Sequence, residues 1–407
     1  MGMEEDSEES ISLKHILGDM SVESFFDDIW QKATAVFRPE NDNLFTSYHH
    51  AIENGWNIMT ELLEHDGDKV LVFENQGVLD NRDESEPLAA SFLKGNSLVW
   101  NHADVLTLPL AHLCDDLQKS FPHAYANVYL TPPQSQTVPP HADDRDVLVI
   151  QLYGEKNWTV YRNIPIAYPY PHEQVGKDER LPVPEQVLDG PCYNITLQKG
   201  HVLYMPRGYV HEAHSAQHTS SLHATIAFAT QDWTWAGFLQ QQTEKVLFQT
   251  NPEYRMAVPR TIGMRSQIHN KDEIENFMRQ AITTLQNEIT FDKLEDTMAK
   301  KYAFHNDRAK KLRNAIAVDS SSRKGPLSVG WKVPLRVSTP PKSKGTGLNI
   351  REDHLFLAEL LQTLRSQPEK CFAPCDYPAL IHPNVCCDFV LLCFAMQCVT
   401  LGALAVA

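Results

Sequence analysis

The stretch PPHADDRDVLVIQLYGEKNW, residues 139–158, constrains this chain more than any other. A double proline delivers a histidine, an alanine and two aspartates to the mouth of an apolar run, which ends in a glycine turn carrying a lysine. The run reads as a buried strand. Side chains two apart on a strand share a face, so His141 and Asp143 can both point into one interior. An imidazole and a carboxylate on one edge supply two corners of a metal site. The same spacing also fits a polar strand entrance facing water.

A third ligand has a candidate in GHVLYMPRGYVHEAHS, residues 200–215. Gly200 allows a turn, HVLYM reads as a strand, PRG turns again, and His211 opens the next extended segment. A later barrel strand would bring His211 opposite His141. His214, His218 and His223 lie close by and read more simply as solvated or core-bonded histidines. A set of two histidines and one carboxylate leaves positions open on Fe(II) for oxygen and a cosubstrate. In ANVYL, Asn127 and Tyr129 share one strand face and Val128 and Leu130 the other, so the polar pair faces either the interior or water. Lys156, just past Gly154, can reach back over a barrel mouth toward the carboxylate of a small acid, or be a surface charge in a turn.

These motifs lie in a zone from about residue 70 to 230 where KVLVFE, ANVYL, DVLVIQLY, NWTVY, HVLYM and HATIAFAT are short runs cut by Pro, Gly and Asn, the pattern of a sandwich or barrel. Ahead of it, Phe25, Phe26, Ile29 and Trp30 recur at helical spacing. Beyond Trp233, Ile274, Phe277, Met278, Ala281 and Leu285 form one helical stripe. Residues 319–347, rich in Ser, Pro, Gly and Lys, read as a linker, and DHLFLAELLQTL restarts helix. The last segment, 387–407, is apolar for about the length of a membrane span, but Asp388, Gln397 and Gly402 interrupt it. A buried helix and strand closing a small domain is therefore favoured over a tail anchor.

Composition narrows the classes. At 407 residues, 42% hydrophobic and 22% charged, the chain has the makeup of a soluble globular protein of two or three domains. A formal charge of -16 argues against nonspecific nucleic-acid binding, which needs a basic surface. The acidic MGMEEDSEES is the opposite of a secretory leader, so an intracellular chain with reduced thiols is expected. Cys371 and Cys375 could make half a zinc site, but no second pair has ligand spacing.

NVYLTPP, PPHADDRDVLVIQLYGEKNW and GHVLYMPRGYVHEAHS, in this order, resemble the JmjC-domain ribosomal oxygenases, the protein histidyl hydroxylases also described as histone lysine demethylases. The resemblance covers residues 11–240 by motif and is densest between Asn127 and His211. It implies an α+β fold: an acidic tail (1–10), a double-stranded β-helix of cupin/JmjC type with N-terminal helices (11–235), a helical dimerisation segment (236–318), a linker (319–347) and a C-terminal winged-helix-like domain (348–407).

The activity it implies is that of an Fe(II)- and 2-oxoglutarate-dependent dioxygenase using O2. His141, Asp143 and His211 match the metal ligands. Asn127, Tyr129 and Lys156 match positions that hold 2-oxoglutarate, with Lys156 pairing with the distal carboxylate. The family's usual serine on the last barrel strand is Ala227 here, and His223 and Thr225, on the same strand face, could compensate. The implied reaction couples decarboxylation of 2-oxoglutarate to succinate with hydroxylation of a protein C–H bond; the cofactor supplies the difficult chemistry and the protein the orientation. A histidine of a ribosomal protein is the implied substrate, a homodimer the implied assembly, and the nucleus or nucleolus, alternatively the cytoplasm, the implied location. Demethylation of histone methyl-lysine stays open, as does a non-catalytic cupin-like binding or scaffold module.

Overall fold

The computed structural model describes residues 11–39, 44–45, 62–63, 70–80, 82–83, 85–228, 233–258, 271–322, 335–337, 356–380, 388–401 and 403–406. The acidic segment 1–10 and much of 319–347 lie outside them. The chain divides into two compact units, one of Met1–Phe228 with Ala309–Ala407 and one of Ala229–Arg308.

The first unit is built on two antiparallel sheets. The larger runs in the order β1 (Ala35–Phe37), β10 (Val202–Met205), β7 (Val147–Tyr153), β12 (Ser221–Phe228), β5 (Ala124–Thr131), β4 (Ser97–Trp100), β2 (Val70–Glu74) and β3 (Gly77–Val78). The smaller runs β6 (His141–Ala142), β11 (Val210–Ser215), β8 (Glu155–Tyr161) and β9 (Cys192–Gln198). Consecutive strands such as β7 and β8, or β10 and β11, belong to opposite sheets. Side chains from both meet in one interior cluster of Val147, Val149, Trp158, Val160, Leu197, Leu203, Met205 and Ala227. This is the expected double-stranded β-helix, and with its helices the fold is α+β.

Strand parity explains which residues line that interior. On β7, Val147 and Val149 face inward, while Leu148, Ile150 and Leu152 join a second core on the outer face. A strand covered on both faces reads as a continuous apolar run, which accounts for DVLVIQLY. On β8, Lys156, Trp158 and Val160 are buried and alternate with half-exposed Glu155, Asn157 and Thr159. Gly154 makes the turn between these strands at φ +66, where an added Cβ would lie 2.0 Å from the Ser220 carbonyl oxygen, so only glycine fits.

The outer core begins at the N-terminus. The expected helix at Phe25–Trp30 is a π-turn over Phe25–Ile29, closed by the Trp30 N–H on the Phe25 carbonyl at 2.8 Å. It seats Phe25 against Phe37, Phe121 and Tyr204. At the other end, the apolar terminus is a helix, Asp388–Thr400, followed by strand β14 (Leu404–Val406). Phe389 through Ala395 are buried in the same core as Leu88, Phe92 and Leu93, and the Phe389 ring meets Tyr153 of β7 edge-on at 4.8 Å. β14 pairs with β13 (Leu335–Val337), which lies within the Ser/Pro/Gly-rich stretch. Among the described residues no helix is long and apolar enough to cross a membrane.

The second unit carries the helices Trp235–Thr250 and Lys271–Glu288 and the start of Phe291–Ser322. The predicted stripe is there: Ile274, Phe277, Ala281 and Leu285 are half-buried, with Phe277 packed on Tyr254 at 5.2 Å between ring centroids. Met278 and Ile282 are 51% and 62% exposed.

Truncating a fully buried aromatic ring leaves a cavity as well as losing its transfer energy. Phe389→Ala is therefore expected to lower unfolding free energy by about 3–5 kcal/mol in equilibrium denaturation. A loss under about 1 kcal/mol would show that the C-terminal helix does not pack on this core.

Candidate active site

The double proline interrupts the pairing with β11, since neither residue donates an N–H, and β6 is only His141 and Ala142, with Gln136 bridging His214 upstream. β6 pairs with β11 so that His141 stands opposite His211, and their rings lie 4.4 Å apart. Asp143 follows β6, and its carbonyl accepts the Gly208 N–H at 2.9 Å, tying the metal-side strand to the turn that precedes His211. The result is a cluster in which one ligand atom from each of His141, Asp143 and His211 lies within 4.8 Å of the others. It is the one such group of metal-binding character found among the described residues. Cys371 is an exposed free thiol, and the side chain of Cys375 lies outside the description.

The donor atoms suit a metal. Nδ1 of His141 meets the Pro139 carbonyl at 2.8 Å and Nδ1 of His211 meets the Tyr209 carbonyl at 3.0 Å. A carbonyl only accepts, so both rings carry their proton on Nδ1 and turn an unprotonated Nε2 toward Asp143, at 4.0 and 3.7 Å. Burial, reinforced by the neighbouring His211, pushes the His141 imidazole down to about 3, and burial lowers His211 as well. Both rings are thus neutral ligands at physiological pH. Burial opposes ionisation of Asp143, but Lys177 and the two imidazoles outweigh it and hold the carboxyl below its usual range.

Two connected cavities meet at this cluster. An inner one of about 50 Å³ is lined by the triad with Tyr129, Lys156, Trp158, His223 and Thr225. An outer one of about 610 Å³ runs from His141 and Asp143 past Tyr125, Asn127, Arg145 and Lys177. Lys156 is not a turn residue at the mouth: it lies in β8, is 2% exposed, and donates to Thr131 Oγ1 at 3.1 Å. No carboxylate of the described residues lies within salt-bridge distance of it. Burial brings its pKa down to about 7. His223, read from sequence more simply as a solvated or core histidine, faces the same inner cavity. It is buried, its ring stacks on Tyr129 at 4.7 Å and 7°, and its Nδ1 has no hydrogen-bond partner. Burial, and then Lys156, depress its pKa.

A buried ammonium without a carboxylate partner, beside an imidazole nitrogen, suits an anionic group, since buried charges are costly to leave unmatched. Asn127 is set apart from this pair. It faces inward as parity allowed, but lines the outer cavity with Oδ1 accepting the His102 N–H at 2.9 Å. Ala227 also lies along the outer cavity, whereas His223 and Thr225 are the β12 residues that reach the inner one. Parity on HATIAFAT is the signal that could have placed His223 here. Nothing in the sequence singled out Lys177.

The barrel and its triad define a JmjC domain, and the family model described as "JmjC domain" matches residues 99–235. By sequence the chain is similar to ribosomal oxygenases and to histidyl-hydroxylases of the NO66 type. The bifunctional lysine-specific demethylase and histidyl-hydroxylase NO66 of Drosophila mojavensis is 26% identical over 309 residues, covering 71% of this chain and 34% of that protein. Ribosomal oxygenase 1 of Homo sapiens is 35% identical over 140 residues, covering 34% of this chain and 21% of its own. The chain spans less than half the length of these curated relatives. A structure of YcfD, a ribosomal oxygenase from Escherichia coli, in complex with cobalt and 2-oxoglutarate, aligns with 95% of this chain and 98% of its own at 14% identity and a TM-score of 0.41.

If the three donors form one centre, each is indispensable. His211→Ala and His141→Ala are each expected to abolish stoichiometric Co(II) binding in calorimetric titration while leaving the thermal unfolding midpoint of the metal-free protein near the wild-type value. Retained binding in either variant would rule out the shared site.

Proposed function

We propose that this chain is an Fe(II)- and 2-oxoglutarate-dependent dioxygenase that hydroxylates a protein side chain, with a histidine of a ribosomal protein as its substrate. The observation that carries the reading is the His141, Asp143 and His211 cluster standing beside the buried, unmatched Lys156. His141, Asp143 and His211 would hold the metal, which when bound supplies the oxidative chemistry coupled to decarboxylation of 2-oxoglutarate. Lys156 pairs with the distal carboxylate of that acid. Tyr129, His223 and Thr225 form the wall against it, and Asn127 contributes from the outer cavity. The interior walls around Trp158 exclude water from the reacting centre.

The outer cavity favours a neutral substrate side chain over a methylammonium. Two cations, Arg145 and Lys177, line it, and both are paired with its carboxylates, Arg145 with Asp144 at 3.8 Å and Lys177 with Asp143. Arg145 also covers the face of Tyr125 at 5.5 Å. A methyl-lysine would find the Tyr125 face already covered by a guanidinium. The ribosomal substrate supports a nuclear or nucleolar location, with the cytoplasm as the alternative. The exposed Met278 and Ile282 of the second unit support a homodimerisation segment. The three C-terminal helices, Phe356–Ser366, Tyr377–Leu380 and Asp388–Thr400, with the β13–β14 pair, support a winged-helix-like arrangement.

Three measurements test this reading. With Fe(II), O2 and ribosomal-protein peptides, the protein should convert 2-oxoglutarate to succinate and add one oxygen atom to the peptide, and His141→Ala should do neither. Stimulation only by methylated histone peptides would shift the assignment to demethylation, and no turnover with metal bound would leave a binding module.

Only the protonated Lys156 pairs with a carboxylate, and in the free pocket that proton is lost as pH rises through about 7. Binding of 2-oxoglutarate to the Mn(II)-loaded protein should therefore take up a proton above this pH and weaken by up to about tenfold per pH unit. Calorimetry in buffers of different ionisation enthalpy reads this linkage, and Lys156→Met should lose it. Ile282→Glu should convert a dimer to a monomer in gel filtration; an unchanged elution volume removes that helix face from the interface.

A further inference from the structure

The connection between β8 and β9, residues 162–191, lies outside the barrel, yet it grips both strands that carry the histidine ligands. The Ala142 N–H donates to the Val175 carbonyl at 2.8 Å. Gly176, at φ +82, lies so close to β6 that an added Cβ would fall 2.3 Å from the Pro140 oxygen and 2.9 Å from the His141 Cα. At the turn before β11, a Cβ on Gly208 would fall 2.5 Å from the Ile166 oxygen. A small apolar core of Ala142, Tyr161, Val175, Val187 and Val210 fixes the insert in place. The Gly176 N–H bonds to the Leu181 carbonyl at 2.8 Å, closing the tip. The residue immediately after this wedged glycine is Lys177, and its ammonium donates to Oδ1 of Asp143.

We propose that Lys177 is a positioning residue of the metal centre, holding Oδ1 of Asp143 so that the carboxylate offers the metal only its other oxygen. The proposal rests on the reading of His141, Asp143 and His211 as metal ligands. A carboxylate at the junction of two cavities is otherwise free to rotate and engage a cation through both oxygens, which would consume a position that the chemistry requires to be open. Oδ2, the oxygen Lys177 leaves free, is the one that faces His211 Nε2 at 3.7 Å.

Lys177 differs from the other charges of its loop. Asp178 and Arg180 pair with each other at the exposed tip. Lys177 instead turns inward, and its length and the tight seat of Gly176 fix where the ammonium can go. Partners that orient a ligand in this way contribute to metal affinity nearly as ligands do.

The test uses the full chain and Co(II) as the probe. Lys177→Met should weaken Co(II) binding by about 10- to 100-fold in calorimetric titration and change the intensity of the Co(II) visible bands, because the carboxylate's mode of attachment changes. Lys177→Arg, which keeps a donor at this position, should recover most of the affinity and the wild-type spectrum. The lysine side chain is partly exposed, so the melting temperature of the metal-free variants should stay near that of the wild type, separating a lost fold from a lost contact. Co(II) affinity in Lys177→Met equal to or tighter than wild type would overturn the proposal, the tighter case marking the lysine as a mere competitor for the carboxylate. A wild-type protein that binds no Co(II) would overturn the metal reading itself, and this proposal with it.

Discussion

The pairing of His141 with His211 across β6 and β11 is the constraint on which the rest of the site depends. Directly opposed residues on an antiparallel pair point to the same face, and a slip of one residue would send one ring to the other side of the sheet. The register is fixed from several directions. The double proline interrupts the pairing just upstream of His141, and the Gly208 N–H to Asp143 carbonyl bond closes the far side. β11 then runs on along β8, opposing His211 to Val160, Ala213 to Trp158 and Ser215 to Lys156. The register that joins the two histidines thus also places the lysine on the same interior face, several residues deeper.

That depth separates the charges into two places with different needs. At the cavity junction, Asp143 is paired with Lys177, so its negative charge is already offset. Deeper in, Lys156 is held at a pKa of about 7, more than three units below an ordinary lysine. At about 1.4 kcal/mol per unit, keeping this ammonium charged costs on the order of 5 kcal/mol. Thr131 alone cannot offset a cost of that size, since a hydrogen bond to a charged group contributes about 1.5–3 kcal/mol. An anionic ligand can, and the adjoining His223, whose Nδ1 lacks a partner, adds a second polar group to the same space. The energetics therefore favour an anionic group opposite Lys156 over an apolar one.

Much of this was legible in the sequence because strand parity is a strict rule. It put His141 with Asp143, and Asn127 with Tyr129, on shared faces, and the structure keeps both pairs inward. What parity could not supply was depth. Lys156 looked like a turn residue because Gly154 precedes it, yet β8 begins at Glu155 and carries the lysine inside. His223 carries the same parity signal as Thr225, which places both on the strand face of Ala227, although as a lone histidine it also reads as solvated or core-bonded. β9 was not seen at all: it is an edge strand whose residues are mostly exposed, so no apolar alternation marks it. Lys177 was illegible for a different reason. Its role comes from the fold of a loop around Gly176, and no local pattern encodes where such a loop docks.

The apolar C-terminus follows from the same two-faced sheet. β7 and β12 fill the barrel with one side and expose a second apolar side, Leu148, Ile150, Leu222, Ala224 and Ile226, which must be covered. The helix Asp388–Thr400 belongs to that cover, reaching β7 through the Phe389 and Tyr153 rings. It is apolar nearly all round because it is enclosed from more than one side: Leu88 and Phe92 lie in the same core, as do Leu357, Leu360 and Tyr377. A helix hydrophobic on every face is stable only in such an enclosure or in a lipid phase. At 13 residues the helix is shorter than the roughly 20 needed to span a bilayer core, so its length selects the protein interior. The segment that most resembles a membrane anchor in sequence is thus the one that the barrel's outer face requires.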